Sequence, residues 1–156
     1  MHNVKNYEDV SGALRALKEA KIEGKVKHIG ITSHSKESID KWIECIDIET
    51  IQFPYNFLEL EAEILFEKAN RYHKGVIVMK PLAGGAIDNA LVSLKFILSN
   101  MNVSVCIPGM ESVEQIYENC SIKDYKLEEN DKIYIENMIS IMEKDVCQRC
   151  GYCLPC

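Results

Sequence analysis

Short runs of β-branched and apolar residues recur along the chain at intervals of roughly 25 residues, and amphipathic stretches fill the gaps between them. That rhythm confines the backbone to parallel strands joined by helical crossovers, and the fold class is therefore α/β. The first helix is expected over residues about 8 to 23, with Val10, Ala13, Leu14, Leu17 and Ala20 at helical spacing. Asn6 suits its cap and Gly24 its stop. A strand follows at 27–31, and Ser35 can cap a second helix with the apolar face Ile39, Trp42, Ile43 and Ile46. The next strand, 51–53, is ended early by Pro54.

A third helix, about 60 to 73, uses Leu60, Ile64, Leu65 and Ala69, and it hands over near Gly75 to an apolar run at 76–79 that reads as a strand buried on both faces. Asp88 can cap a fourth helix carrying Leu91, Leu94, Ile97 and Leu98, and residues 103–107 make the last strand. Ser112, with Gln115 three residues on, forms a capping box for the helix that follows. A final amphipathic helix spans about 128 to 144, with acidic residues at its start as the macrodipole favours. Four strand–helix units of this kind build either a small doubly wound sheet or half of an eight-stranded barrel. No G-x-G-x-x-G follows the first strand, so the doubly wound reading lacks its nucleotide-binding signature.

The last ten residues, Cys147-Gln-Arg-Cys150-Gly-Tyr-Cys153-Leu-Pro-Cys156, carry four thiols spaced three apart. Two-residue gaps let a short loop converge its thiolates on one small volume, as a cubane iron–sulfur cluster requires. Zinc more commonly takes two such pairs separated by a longer stretch. Disulfides between cysteines three apart are strained, and the N-terminus resembles no secretory signal, so reduced thiols and a cytoplasmic location are expected. Cys45, Cys106 and Cys120 read as buried core residues.

The 156 residues can bury one core, and no transmembrane run interrupts them. A formal charge of −6 without a basic stripe argues against a nucleic-acid partner.

Four further segments sit at the ends of the predicted strands: Gly24-Lys-Val-Lys-His-Ile-Gly-Ile-Thr-Ser33, Ile51-Gln-Phe-Pro-Tyr-Asn56, Met79-Lys-Pro-Leu-Ala-Gly-Gly85, and Ile107-Pro-Gly-Met-Glu-Ser-Val-Glu-Gln-Ile-Tyr-Glu-Asn119. Their order and spacing resemble the second half of an aldo/keto reductase. With the cysteine tail, the chain resembles the ferredoxin-type bacterial branch of that family. The resemblance implies the C-terminal half of a (β/α)8 barrel over residues 1–125, and a C-terminal helix with a 4Fe-4S tail over 126–156. It implies NAD(P)H as cofactor and a small carbonyl compound as substrate.

By resemblance, Thr32 and Ser33 match the pair that binds the nicotinamide amide, together with Gln52. Met79 stands where many members place an aromatic residue against the nicotinamide ring. Leu82, Gly84 and Gly85 match the loop that passes the pyrophosphate, where missing side chains let backbone amides approach an anion. Ile107, Gly109 and Met110 match the segment around the adenosine phosphate, and Glu118 and Asn119 match the adenine contacts. Gly109 and Gln115 occupy positions where phosphate-preferring members carry a lysine and an arginine, and NADH preference, or weak binding, follows.

The same resemblance assigns His2 to the histidine that orients the substrate carbonyl, at the end of the fourth strand of such a barrel. The tyrosine proton donor and its lysine and aspartate partners have no counterpart here. General acid–base assistance is worth about 10² to 10⁴ in rate, so the isolated chain is expected not to be a competent reductase. A half-barrel also exposes two strand edges, which implies self-association or a missing N-terminal half as partner. Two functions follow: a nucleotide-binding half of a reductase with an iron–sulfur tail, or an electron-transfer or interaction module that displays the cluster. In ferredoxin-like runs the last cysteine often serves a second cluster, so Cys147, Cys150 and Cys153 are the firmer ligands and Cys156 closes the set or belongs elsewhere.

Overall fold

The computed structural model describes residues 1–2, 4 and 7–142. In chain order these form α1 (Tyr7–Ile22), β1 (Gly30–Thr32), α2 (Lys36–Ile43), β2 (Thr50–Pro54), α3 (Glu63–Arg71) and β3 (Gly75–Met79). A 3₁₀ turn at Ala83–Gly85 then leads to α4 (Ala90–Ser99), β4 (Val105–Cys106), α5 (Val113–Cys120) and α6 (Glu129–Met142).

The four strands are parallel and alternate with helices, in the order β1-β2-β3-β4. Gly30, Ile31 and Thr32 register with Thr50, Ile51 and Gln52. Neighbours in the sheet are neighbours in sequence, so no reversal of strand order creates the switch point on which a doubly wound ligand site depends. The arrangement is an arc of a (β/α) barrel.

The chain divides into two compact units. The first comprises Met1–Pro54, Glu61–Ile77 and Asn102–Ser104. Its core is aliphatic and aromatic: Ile39, Trp42 and Ile43 from α2, Ile51 and Phe53 from β2, and Leu65, Phe66 and Ala69 from α3 are all buried. Ser35 caps α2 by accepting the Ser38 N–H at 3.1 Å, as its sequence position predicts. Lys74 extends its ammonium to the Cys45 and Ile48 carbonyl oxygens at 2.9 and 2.7 Å, tying the start of β3 to the α2–β2 connection. At Gly30 a Cβ would fall on the Thr50 side chain and 3.2 Å from the Thr50 carbonyl oxygen, so close approach of β1 to β2 requires glycine there.

The second unit comprises Tyr55–Leu60, Val78–Met101 and the described residues from Val105 onward. Phe57, Ala83 and Ile87 form its buried centre, and Tyr134, Ile135, Met138 and Ile139 of α6 pack against them. Phe57 meets the rings of Phe96 and Tyr134 edge-on, at centroid distances of 6.0 and 6.2 Å.

Several expectations change. Ile46 lies beyond the end of α2 and is 88% exposed, because the helix stops at Ile43. In α3 the buried stripe is Leu65, Phe66 and Ala69, while Ile64 is exposed and Leu60, also exposed, lies before the helix, which starts at Glu63. In α1, Ala13 is exposed although Val10 is buried. Asn89, not Asp88, caps α4, accepting the Val92 N–H at 3.1 Å. The expected double-sided burial of β3 holds for Val76, Val78 and Met79, with Ile77 partly open. None of the three cysteines is a core residue: Cys45 and Cys106 are half-buried and Cys120 is exposed. Asn6, residues 143–144 of the last helix and the four tail cysteines lie outside the described residues.

Candidate dinucleotide site

In the second unit a cleft of about 570 Å³ opens along the segment that leaves β3 and the segment that leaves β4. Lys80, Pro81, Leu82, Gly84 and Gly85 line one side, and Ile107, Gly109, Met110, Glu111 and Gln115 the other. Six residues matched to the cofactor loops by resemblance (Leu82, Gly84, Gly85, Ile107, Gly109, Met110) are thereby brought together with a seventh, Gln115. Each side is a strand-to-helix connection, and both leave the carboxyl end of a parallel strand, where barrel and open α/β folds carry their ligands.

The first side has an unusual backbone. Lys80 and Ala83 take left-handed φ values of 55° and 47°, and Gly84 and Gly85 follow at 67° and 93°. Glycine adopts this region without penalty, but for Lys80 and Ala83 it carries a strain that the surroundings must offset. Asn56 and Ser93, both fully buried, supply part of that hold. The Asn56 amide donates to the Lys80 carbonyl oxygen at 3.1 Å, while its Oδ1 accepts the Leu58 N–H at 2.9 Å. The Ser93 hydroxyl donates to the Pro81 carbonyl oxygen at 2.5 Å. Further along, the Tyr134 hydroxyl donates to Asp88 at 2.5 Å and accepts the Asn89 N–H at 3.3 Å. Burial, and then the hydrogen bond to Asp88, push this phenol up to about 12.

On the second side, Ser112 caps α5 by accepting the Gln115 N–H at 3.3 Å. The Gln115 side chain reaches back to accept the Glu111 N–H at 2.7 Å, one residue before the position a capping box would use. The Glu114 carboxyl is held below its ordinary range by its own backbone N–H and by Ser112. Asn119, one turn beyond Gln115 on α5, has a buried Oδ1 with no hydrogen-bond partner. Glu118 is exposed on the same helix.

A dinucleotide presents anionic oxygens, which suit backbone left open by Gly84 and Gly85, and an exocyclic amine donor, which suits the orphaned Asn119 oxygen. A Cβ at Gly85 would meet nothing within 4 Å, so that face of the loop is uncrowded. The residues present fit the group.

The remaining matched residues lie at other strand ends. Met79 closes β3 and is buried. In the first unit, Thr32 closes β1 and Gln52 registers beside it on β2. Ser33 is 1% exposed; its hydroxyl donates to the Val4 carbonyl oxygen at 2.7 Å and accepts the Ser35 N–H at 3.1 Å. These bonds give Ser33 a structural task that its motif does not announce. Residues 1 and 4 bond along the free side of β1: the Thr32 N–H donates to the Met1 carbonyl at 2.8 Å and the Val4 N–H to the Thr32 carbonyl at 3.0 Å. His2 lies between them and is exposed. His28, which carries no metal-ligand spacing, pairs instead with Glu49 at 2.5 Å. Among the described residues no cluster of His, Cys, Asp and Glu could hold a metal ion.

Comparison with known proteins decides the family. The aldo/keto reductase family model matches residues 1–90, more than half of the chain. The chain belongs to the aldo/keto reductase family. Members of this family bind a nicotinamide cofactor and carbonyl substrates. Among solved structures, the chain is similar to the holo form of aldo-keto reductase AKR11C1 from Bacillus halodurans, with a TM-score of 0.72 at 18% identity, over 88% of this chain and 56% of that one. It is also similar to MGS-M4, an aldo-keto reductase from a Medee basin deep-sea metagenome library (TM-score 0.70, 19% identity, 88% and 58% covered). The glycerol dehydrogenase AKR11B4 from Gluconobacter oxydans superposes with a TM-score of 0.69 at 16% identity, with 90% and 57% covered. The chain thus spans under two thirds of the length of these structures, and at such identities the likeness shows the fold. No curated protein sequence matches the chain. Among the described residues, no helix is long and apolar enough to cross a membrane.

Sequence reading gave no role to Asn56, Ser93 or Tyr134. Asn56 stands at the end of the Ile51–Asn56 segment, two residues past β2, and a polar residue so close to a strand end is the signal the sequence offers. Ser93 and Tyr134 sit inside amphipathic helices, where nothing in the spacing separates them from surface residues.

Proposed function

We propose that the chain is the C-terminal, cofactor-holding half of an NAD(P)H-dependent aldo/keto reductase of the ferredoxin-type branch, acting on small carbonyl compounds. The observation that carries this reading is the cleft between Lys80–Gly85 and Ile107–Gln115, whose lining coincides with residues matched to the pyrophosphate and adenosine contacts. Leu82, Gly84 and Gly85 would hold the pyrophosphate; Ile107, Gly109 and Met110 the adenosine phosphate; Glu118 and Asn119 the adenine. Thr32, Ser33, Gln52 and Met79 would serve the nicotinamide end. The cofactor, when bound, supplies a hydride. His2 would orient the carbonyl oxygen.

The proton donor has no counterpart among these residues, so a segment outside this sequence would provide it, and the chain by itself would bind without turning over. Glu111 in the cleft wall, with Gly109 and Gln115 where cations would stand, supports NADH over NADPH. The spacing of Cys147, Cys150, Cys153 and Cys156 supports a 4Fe-4S cluster, and reduced thiols support a cytoplasmic setting.

Titration of the chain with NADH, followed by nicotinamide fluorescence, tests the reading. Saturable binding, weaker for NADPH, is expected. Absence of saturation up to millimolar NADH would refute it. Anaerobic reconstitution with iron and sulfide tests the tail: a cubane spectrum is expected, and stoichiometric zinc without an iron chromophore would contradict it.

A further inference from the structure

We propose that Asn56 and Ser93 are positioning residues for dinucleotide binding, acting through the backbone of the Lys80–Gly85 loop. The inference rests on the cofactor reading above and extends it to two buried residues that do not line the cleft. Lys80, in the wall of the cleft, and Ala83, buried beneath it, are non-glycine residues at positive φ within four positions. Each such conformation is costly and persists where surrounding structure over-determines it.

Two side chains with no exposed surface do so here. Asn56 grips the carbonyl oxygen of Lys80, the first strained residue, and Ser93 grips that of Pro81, the next one along. Asn56 is itself fixed, because its Oδ1 takes the Leu58 N–H and its own carbonyl takes the Glu59 N–H at 3.0 Å. Ser93 is fixed on α4, whose cap at Asn89 is in turn held by Tyr134. The apolar underside of the loop, Ala83 and Ile87, rests on Phe57 and on α6. Holding the Lys80 and Pro81 carbonyls fixes the course of the loop whose Leu82, Gly84 and Gly85 line the cleft. A preorganised loop avoids the ordering penalty that a mobile one incurs on binding an anion. Removing one clasp therefore weakens ligands that bear a pyrophosphate and spares those that do not.

The test compares wild type, Asn56→Asp and Ser93→Ala in the full chain. Asn56→Asp keeps the acceptor for Leu58 and loses the donor to Lys80; Ser93→Ala removes the hydroxyl alone. NADH is titrated by fluorescence, and adenosine, which lacks phosphate, by NMR shift perturbation. NADH affinity is expected to fall about fivefold to twentyfold in each variant, the size expected for one buried hydrogen bond, while adenosine affinity stays within about twofold. Should Asn56→Asp fail to fold, Ser93→Ala decides. Equal NADH affinity in a folded variant, or an equal loss for NADH and adenosine, overturns the positioning role while leaving the cofactor reading standing. Failure of wild type to bind NADH overturns both.

Discussion

The Gln115 side chain accepts the backbone N–H of Glu111 at 2.7 Å, so this long polar side chain in the cleft wall is turned onto its own helix entrance. A dianion arriving there would meet the Glu111 carboxylate and a neutral amide already engaged. Gly109, on the same side of the cleft, offers no side chain, yet a Cβ there would meet nothing within 4 Å. The double variant Gly109→Lys with Gln115→Arg is therefore expected to fold and to gain NADPH affinity by about tenfold or more, as charge-assisted bonds to a phosphate allow. Parallel titrations with NADH and NADPH check this. An unchanged preference in the folded variant would remove the adenosine-phosphate assignment of this segment.

Glu49 sets an acid-side dependence of stability. Hydrogen bonds from His28 and then Lys21 hold its carboxyl down to about 2, against an ordinary value of 4.5. A depressed carboxylate contributes stability that is fully present above the unfolded value and is lost as pH falls through the folded one. Thermal melts of wild type and Glu49→Gln should differ most above pH 4.5 and converge as pH approaches 2. Melting curves that stay parallel over this window would show that the pairing contributes nothing.

The cysteines outside the tail should differ in reactivity. Burial pushes the Cys106 thiol up to about 12, whereas Cys120 is exposed on α5. A thiolate is the nucleophile in alkylation, so brief iodoacetamide treatment of the folded chain should label Cys120 well before Cys106, read by peptide mass spectrometry. Equal labelling would contradict the shielding of the Cys106 thiol.

Gly30 should not tolerate a methyl group. A Cβ there collides with Thr50 on β2, and Gly30→Ala is expected to cost about 1–3 kcal/mol as an overpacked contact. Urea denaturation measures it; an unaltered midpoint would mean that β1 and β2 are not packed at this distance.

Much of this architecture is legible in the sequence because period and punctuation agree. Ser35 and Ser112 cap the helices their positions foretell, and the apolar runs at 51–53 and 76–79 fall within β2 and β3, although β2 extends through Pro54 instead of ending before it. What misleads is phase. Leu60 and Ile64 look like part of the buried stripe of α3, but Leu60 precedes the helix and the packed face is centred on Leu65, Phe66 and Ala69. Asp88 and Asn89 are adjacent and chemically similar caps, and only the tertiary bond from Asp88 to Tyr134 assigns each its task. The cleft residues were found through their motifs, because glycine pairs at strand ends carry a chemical meaning. The clasps formed by Asn56 and Ser93 depend on partners 24 and 12 residues away, which no local pattern encodes.

Hydrogen exchange of the full chain with and without NADH bears most directly on the central claim, that the strand-end cleft holds the dinucleotide. Protection is expected at Lys80–Gly85 and at Ile107–Gln115, with the outer faces of α1 and α2 unaffected. Saturating NADH that leaves both segments exchanging as in the free protein would contradict it.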